Sequence, residues 1–99
     1  MQIDALPCPL FPLGQIVCTR DAMDLMTCTQ TSVLSLLRRH SRGDWGEVCE
    51  SDKQGNDFAV TNGARILSVY LLGAEQEKLL LITEADDRSY TTFLTPDKY

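Results

Sequence analysis

A change in residue character near residue 65 constrains the fold of this chain more than any other feature of its sequence. Before it, short one-sided apolar stripes follow residues that cap helices. After it, three runs of aliphatic, aromatic and β-branched residues, at 65–72, 79–84 and 90–95, are separated by polar turns. Their lengths and short connections are typical of consecutive antiparallel strands. The sequence therefore predicts helices followed by an antiparallel meander.

Helical segments are predicted at about 22–26, 33–40 and 51–61, and a further strand at 15–19. The pair Asn62-Gly63 is expected to end the third helix in the left-handed conformation. The expected helix N-caps are Thr19 or Asp21, Thr29 or Thr31, and Ser51 in a Ser51-x-x-Gln54 capping box. Helices that precede a run of hairpin-connected strands pack together on the sheet. We therefore predict an α+β domain with two or three short helices on one face of a three- or four-stranded antiparallel sheet.

Residues 1–14 are predicted to form a proline-rich arm on a single domain of residues 15–99. Prolines at positions 7, 9 and 12 favour an extended backbone there. The arm opens with Asp4 and lacks the unbroken apolar run of a secretory signal, which predicts a cytoplasmic protein. The longest apolar runs are far shorter than the ~18–20 residues of a membrane helix, so no membrane association is expected.

The composition is acidic, since fourteen Asp and Glu residues against nine Lys and Arg residues give a formal net charge of −5. Proteins that bind nucleic acid usually carry a basic patch, so direct nucleic-acid binding is not expected. Acidic residues crowd positions 44–57 and 75–87, whereas basic residues surround position 40. A surface with separate acidic and basic patches steers protein partners or pairs with copies of itself. We predict a protein partner, and the alternative is a homodimer.

The four cysteines lie at positions 8, 18, 28 and 49. No pair has the C-x-x-C spacing of a zinc site, so neither a metal site nor a cofactor is predicted. In a reducing compartment these residues are expected to be reduced and to act as small apolar side chains. A zinc site that combines a cysteine with His40 is the alternative.

Three single residues admit both a structural and a functional interpretation. Trp45 lies between two glycines and is predicted to be buried at the helix–sheet junction; the alternative is an exposed anchor for a partner. His40 ends a basic helix and is predicted to be exposed or to cap that helix. Asn56 is a poor helix former and is predicted to satisfy a backbone group near the sheet, with a ligand contact as the alternative.

Polar residues on the predicted strands carry the one enzymatic hypothesis. Residues on neighbouring antiparallel strands can converge on one face, where such side chains could grip a phosphate and supply a general base. The set comprises Arg65, Glu84, Arg88 and Thr92. The order of helices and sheet is loosely similar to that of small barnase/RelE-like ribonucleases. The competing interpretation is a structural cross-strand pair between Arg65 and Glu84, exposed on one sheet face.

Several segments together resemble one family. They are FPLGQIV at 11–17, RH followed by GDWGE within 39–47, Asn56 followed by G-x-RILSVY at 63–70, and LITEAD-x-RSYTT-x-L-x-P-x-x-Y at 81–99. The family comprises small, uncharacterised proteins encoded on bacterial plasmids and integrative elements, usually called plasmid-related proteins. Its members continue directly from Glu-Ala-Asp to Arg-Ser, whereas this chain carries the additional Asp87. The resemblance implies a setting in bacterial mobile DNA and does not imply an activity.

The resulting prediction is a non-catalytic, acidic accessory protein of mobile genetic elements that binds another protein. An inhibitor of restriction or CRISPR defence fits the size and the charge. The predicted partner-binding residues are Asp44, Trp45, Glu47, Asp86, Asp87 and Arg88. The alternatives are the small ribonuclease or toxin described above, and a dimeric structural or regulatory module.

Overall fold

The computed structural model describes residues 9–99, so most of the predicted arm, residues 1–8, lies outside the described residues. The elements in chain order are β1 (Gln15–Cys18), α1 (Arg20–Cys28), α2 (Val33–Ser41), α3 (Glu50–Asn62), β2 (Ile66–Leu72), β3 (Glu77–Thr83), β4 (Tyr90–Leu94) and a 3-10 turn (Pro96–Lys98). Three helices and one four-stranded sheet confirm the α+β class. Within residues 9–99, no helix has both the length and the apolar character needed to cross a membrane.

The sheet is mixed, so the prediction of a purely antiparallel sheet is wrong. Its strand order is β1-β4-β3-β2, and β2, β3 and β4 form the predicted antiparallel meander. β1 pairs in parallel with β4, with Gln15 beside Tyr90 and Cys18 beside Phe93. Short turns fix the relative direction of consecutive strands only. Three helices and two strands separate β1 from β4, so the direction of β1 depends on where the chain enters the sheet.

The helix starts agree with the sequence in one case and differ in two. The Thr19 hydroxyl caps α1 as predicted, because it accepts a hydrogen bond from the Ala22 amide at 3.2 Å. The cap of α2 is Ser32 and not Thr29 or Thr31, whose hydroxyls lie 2.8 Å apart. α3 begins before the predicted capping box, at an N-cap whose side chain makes no capping hydrogen bond. Its left-handed exit is at the predicted Asn-Gly pair, with a φ of 84° at the glycine.

The main core lies between the helices and one face of the sheet. Along β2, alternate residues are buried, as expected for a strand with one covered face. The largest fully buried side chains there include Tyr70, Phe93, Met26 and Leu37. Phe11 and Leu13 from the predicted arm are buried in the same core. The described part of the arm, residues 9–14, is therefore packed into the domain.

A smaller apolar cluster covers the opposite face of the sheet. Leu80, Ile82 and Leu94 are buried there. The chain after β4 turns back toward the start of β2, where the Tyr99 hydroxyl accepts a hydrogen bond from Arg65 Nη2 at 2.8 Å. Arg65 lies on this second face by extension of the β2–β3 register, so the C-terminal residue contacts the β2 side of that face.

The outer edge of β2 is closed by groups that are not part of a strand. Asn56, buried in α3, donates from Nδ2 to the Leu67 carbonyl at 2.6 Å and accepts at Oδ1 from the Leu67 amide at 3.1 Å. The segment 45–47 brackets Val69, since the Val69 amide donates to the Trp45 carbonyl and the Val69 carbonyl accepts from the Glu47 amide. The prediction that Asn56 satisfies backbone groups near the sheet is confirmed.

Candidate partner-binding surface

A buried chain of hydroxyl groups surrounds His40, which corrects the prediction that this residue is exposed or caps its helix. Its ring is 0 % exposed, with Nδ1 2.6 Å from the Ser68 hydroxyl and Nε2 2.9 Å from the Thr83 hydroxyl. The Thr83 hydroxyl lies 2.7 Å from that of Thr91. His40 continues the apolar stripe of α2 at the i+3 position from Leu37, and this spacing was the signal for burial in the sequence.

The hydrogen atoms of this network can be assigned by counting donors. Thr91 donates its single hydroxyl hydrogen to the Leu13 carbonyl at 2.7 Å, so Thr83 must donate to Thr91. Thr83 therefore accepts from His40 Nε2–H, and Nδ1 accepts from Ser68. Burial, together with the charge of Arg88, lowers the pKa of His40 to about 3, so the ring is neutral.

The Ser68–His40 pair has the spacing of a nucleophile and its base, but its position gives it a structural role. Both side chains are 0 % exposed, and the ring also fixes β3 through Thr83. A serine nucleophile must reach a substrate carbon, which the surrounding core prevents. The network therefore joins α2 to the sheet and satisfies its own polar groups. Among residues 9–99, no buried side-chain nitrogen or oxygen lacks a hydrogen-bond partner.

Trp45 and Asp44 form a packed corner between α2, α3 and β2. Trp45 is 3 % exposed, which confirms its predicted burial, and its Nε1 donates to Asp57 Oδ1 at 2.9 Å. Asp44 is exposed, but its carboxylate accepts from Arg39 Nε at 2.7 Å. This hydrogen bond holds the pKa of the Asp44 carboxyl below its usual value. Of the predicted partner-binding residues near this corner, Asp44 and Glu47 reach the surface and Trp45 does not.

Arg88 belongs both to the predicted partner-binding residues and to the predicted catalytic set, and the structure places it inside the fold. Its guanidinium donates to the Ala64 carbonyl at 2.5 Å and to the Ala59 carbonyl at 2.6 Å, at the C-terminal end of α3. The negative end of a helix dipole favours a cation there. The neighbouring Asp86 and Asp87 are exposed. The turn around the additional Asp87 therefore presents carboxylates outward while Arg88 points inward.

The other residues of the predicted catalytic set lie on the opposite face of the sheet from Arg88. Arg65 and Glu84 are neighbours by extension of the β2–β3 register, and Thr92 lies beside Ile82 on the same face. No Arg65–Glu84 ion pair forms among the described residues, because Arg65 instead donates to the Tyr99 hydroxyl. Arg65 and Glu84 thus lie side by side and exposed on one sheet face, as predicted for a structural pair, but without an ion pair between them. The four residues do not converge on one pocket.

A concave surface lies between α1, the start of β3 and the C-terminal turn. It has a volume of about 600 Å³ and contains the apolar side chains of Leu25 and Pro96. Its acidic residues are Asp21, Asp24, Glu77 and Asp97, and its basic residue is Lys78. A hydrogen bond from Thr95 holds the pKa of the Asp97 carboxyl below its usual value, so it is ionised at neutral pH. We call this surface the acidic cleft.

Sequence reasoning did not bring the residues of the acidic cleft together. Asp21 and Asp24 are three residues apart in α1 and so share a helix face, and this spacing was the available signal in the sequence. Glu77 and Asp97 come from distant positions, and only the tertiary structure places them opposite that face. Within residues 9–99, no group of three or more His, Cys, Asp or Glu side chains has a metal-holding arrangement.

The described cysteines, Cys18, Cys28 and Cys49, are free, and Cys8 lies outside the described residues. Burial raises the pKa of the Cys18 thiol, which favours its uncharged form.

No family model, no curated protein and no solved structure matches this chain.

Proposed function

We propose that this chain acts by binding another protein, and that the acidic cleft is the contact surface. The observation that carries the proposal is that apolar side chains, Leu25 and Pro96, and four carboxylates line one concave surface. Such a surface suits a segment that carries both a cation and an apolar side chain. Lysine and arginine have this character within one residue, because their alkyl stems pack on apolar groups while the charged ends remain in water.

Electrostatics support a basic partner. Four carboxylates and one ammonium line the cleft, an excess of three negative charges among the lining residues. Lys98 offsets part of this charge, since its Nζ lies 3.8 Å from Asp21 Oδ2, but both side chains are about half exposed. An exposed pair of this kind is weak and can be exchanged for a partner's cation. The net charge of −5 would steer a basic protein toward the chain over longer distances.

The resemblance to plasmid-encoded proteins suggests the biological context of this binding. A restriction or CRISPR effector has cationic surfaces that hold nucleic acid, and a small acidic protein could occupy such a surface. The finer proposal is therefore an inhibitor of bacterial defence. It predicts that expression of the chain raises the efficiency with which a restricted or CRISPR-targeted plasmid transforms a defended strain, without an effect in the undefended strain.

The direct test compares two pairs of charge reversals. The double variant Asp24→Lys, Glu77→Lys reverses two charges in the acidic cleft. The double variant Asp86→Lys, Asp87→Lys reverses the same number of charges at the turn before β4. A partner captured by the wild type should be identified, purified and titrated against each protein by calorimetry. We expect the cleft variant to lose at least ~10-fold in affinity and the turn variant to lose much less. Equal losses would contradict the cleft as the contact surface.

The ribonuclease alternative is tested separately. RNA is incubated with the wild type and with Glu84→Gln, whose carboxylate is exposed on the second sheet face. We expect no cleavage by either protein, because an acidic surface repels a polyanion and Arg88 is engaged inside the fold. Cleavage by the wild type that is lost in Glu84→Gln would replace the binding proposal with the enzymatic one.

A further inference from the structure

The two edges of the sheet differ in whether other groups cover their backbone amides and carbonyls. The edge at β2 is closed by Asn56 and by the segment 45–47. The edge at β1 has no such cover among residues 9–99, where the backbone groups of Ile16 and Cys18 have no hydrogen-bond partner. An edge with unpaired amides and carbonyls is a template for a further strand.

The orientation of these groups follows from the pairing of β1 with β4. Gln15 and Thr19 donate their amide hydrogens to carbonyls in the segment 89–93, at 2.9 and 3.0 Å. Because strand residues alternate in direction, the amides and carbonyls of Ile16 and Cys18 point away from the sheet. Two residues of β1 therefore offer two donors and two acceptors along one line.

The side chains of β1 do not carry the features that usually protect an edge. The strand sequence Gln15–Cys18 contains no charged residue and no proline. Val17, on the face away from the helices, is 37 % exposed, and Tyr90 in the adjacent strand is 47 % exposed. An open edge thus continues into an apolar surface.

We propose that two copies of this chain pair through β1, antiparallel, about a two-fold axis at Val17. In this register Ile16 of one copy lies opposite the partner subunit's Cys18, and the reciprocal pair is identical by symmetry. Each of the two pairs exchanges two hydrogen bonds, so all four outward groups of each strand are satisfied. Two four-stranded sheets join into one continuous sheet, and the two valines at the axis contact each other on the uncovered face.

A second copy fits this edge because the strand is complementary to itself and uncharged, so no like charges face each other across the new pairing. The paired strand is short, and such a small contact is typical of a weak, transient interface. We expect monomers at ~1 µM and dimers at ~1 mM protein. The inference goes beyond the proposed function and is independent of it.

Dimerisation through β1 and partner binding at the acidic cleft should depend on salt in opposite directions. Each copy carries a net charge of −5, so added salt should reduce repulsion and strengthen the dimer. Binding of a basic partner at the acidic cleft should weaken under the same conditions. Failure of one proposal is therefore distinguishable from failure of the other.

The test measures the mass of the chain by sedimentation from ~1 µM to ~1 mM, for the wild type and two variants. Val17→Lys places two ammonium groups at the axis and should keep the protein monomeric throughout. Met23→Lys is the matched control, because Met23 is a comparably exposed apolar residue, at 46 %, on α1. It should dimerise like the wild type. A wild type that stays monomeric at ~1 mM, or a Val17→Lys protein that still dimerises, would overturn the proposal.

Hydrogen exchange of the wild type gives a second measurement that needs no variant. The amides of Ile16 and Cys18 should become at least ~10-fold more protected between ~1 µM and ~1 mM protein, whereas the amide of Val17 already bonds within the sheet and should change little. A dimer that forms without this protection would place the contact elsewhere and would contradict β1 pairing.

Discussion

The side chain of Asn56 bonds both backbone groups of Leu67, donating to the carbonyl at 2.6 Å and accepting from the amide at 3.1 Å. A carboxamide carries a donor and an acceptor side by side, as a strand residue does, so it can occupy an edge in place of a strand. This contact fixes α3 beside β2. It also removes one edge of the sheet from the surface available for pairing.

Replacement of Asn56 by alanine should destabilise the protein by about 2–3 kcal/mol, because two partly buried backbone groups lose their partner. Asn62→Ala is the control, since among residues 9–99 the Asn62 side chain makes one hydrogen bond, an exposed one accepted from the Ala64 amide. Its cost should be below about 1 kcal/mol. Urea denaturation measures both values, and similar costs for the two variants would contradict the role assigned to Asn56.

The stability of the protein should decrease as the pH is lowered, because of His40. Its pKa is about 3 in the fold and about 6.5 when unfolded, so between these values the unfolded chain binds more protons. The free energy of unfolding is then largest above pH ~6.5 and declines by about 1.4 kcal/mol per pH unit as the pH falls toward 4.5. In His40→Gln this slope should be absent, although the protein is less stable at pH 7. An unchanged slope in the variant would assign the pH dependence to other groups.

Arg88 should contribute to stability through its position at the C-terminal end of α3. Arg88→Met keeps much of the volume and leaves the carbonyls of Ala59 and Ala64 without the guanidinium, at a cost of about 3–5 kcal/mol. Arg38→Met, at an exposed position of α2, should cost less than about 0.5 kcal/mol. Thermal unfolding of both variants checks this difference. A stable Arg88→Met protein would return Arg88 to the candidate surface residues.

The fluorescence maximum of Trp45 should lie well to the blue of free indole in water, because the ring is buried. Trp45→Ala should cost about 3–5 kcal/mol, as expected for the loss of a large aromatic side chain from a core. Asp57→Ala tests the polar end of the ring separately, since it removes only the acceptor of the indole hydrogen at 2.9 Å. Its cost should be about 1 kcal/mol. A red-shifted maximum in the native protein would contradict the burial of Trp45.

Two glycines of the chain should respond to alanine in opposite directions. Gly46 has a φ of +74°, and a Cβ there would overlap the Val69 carbonyl oxygen, so Gly46→Ala should destabilise strongly, by more than ~2 kcal/mol. Gly55 lies within α3, and a Cβ there meets nothing within 4 Å. Gly55→Ala should therefore stabilise by about 0.5–1 kcal/mol. Calorimetric melting of the two variants should show shifts of opposite sign.

Local pattern was enough to predict the α+β class, the meander and several single contacts. Strand runs, the Thr19 cap and the Asn-Gly helix exit depend on residues that are close in sequence, and the structure confirms them. The roles of Trp45 and Asn56 were also accessible, because each residue type is unusual at its local position. Periodicity should have placed His40 on the buried stripe, but its basic neighbours favoured an exposed position.

Other features depend on contacts between residues that are far apart in the chain. The parallel direction of β1, the inward position of Arg88 and the acidic cleft each join segments separated by many residues. Burial and hydrogen bonding select among such arrangements, and neither is a property of a local pattern. The sequence by itself determined which segments form helices and strands, because those preferences are local. Only the tertiary structure decided which polar groups meet inside the fold and which face a partner, because that choice depends on the complete packing of the core.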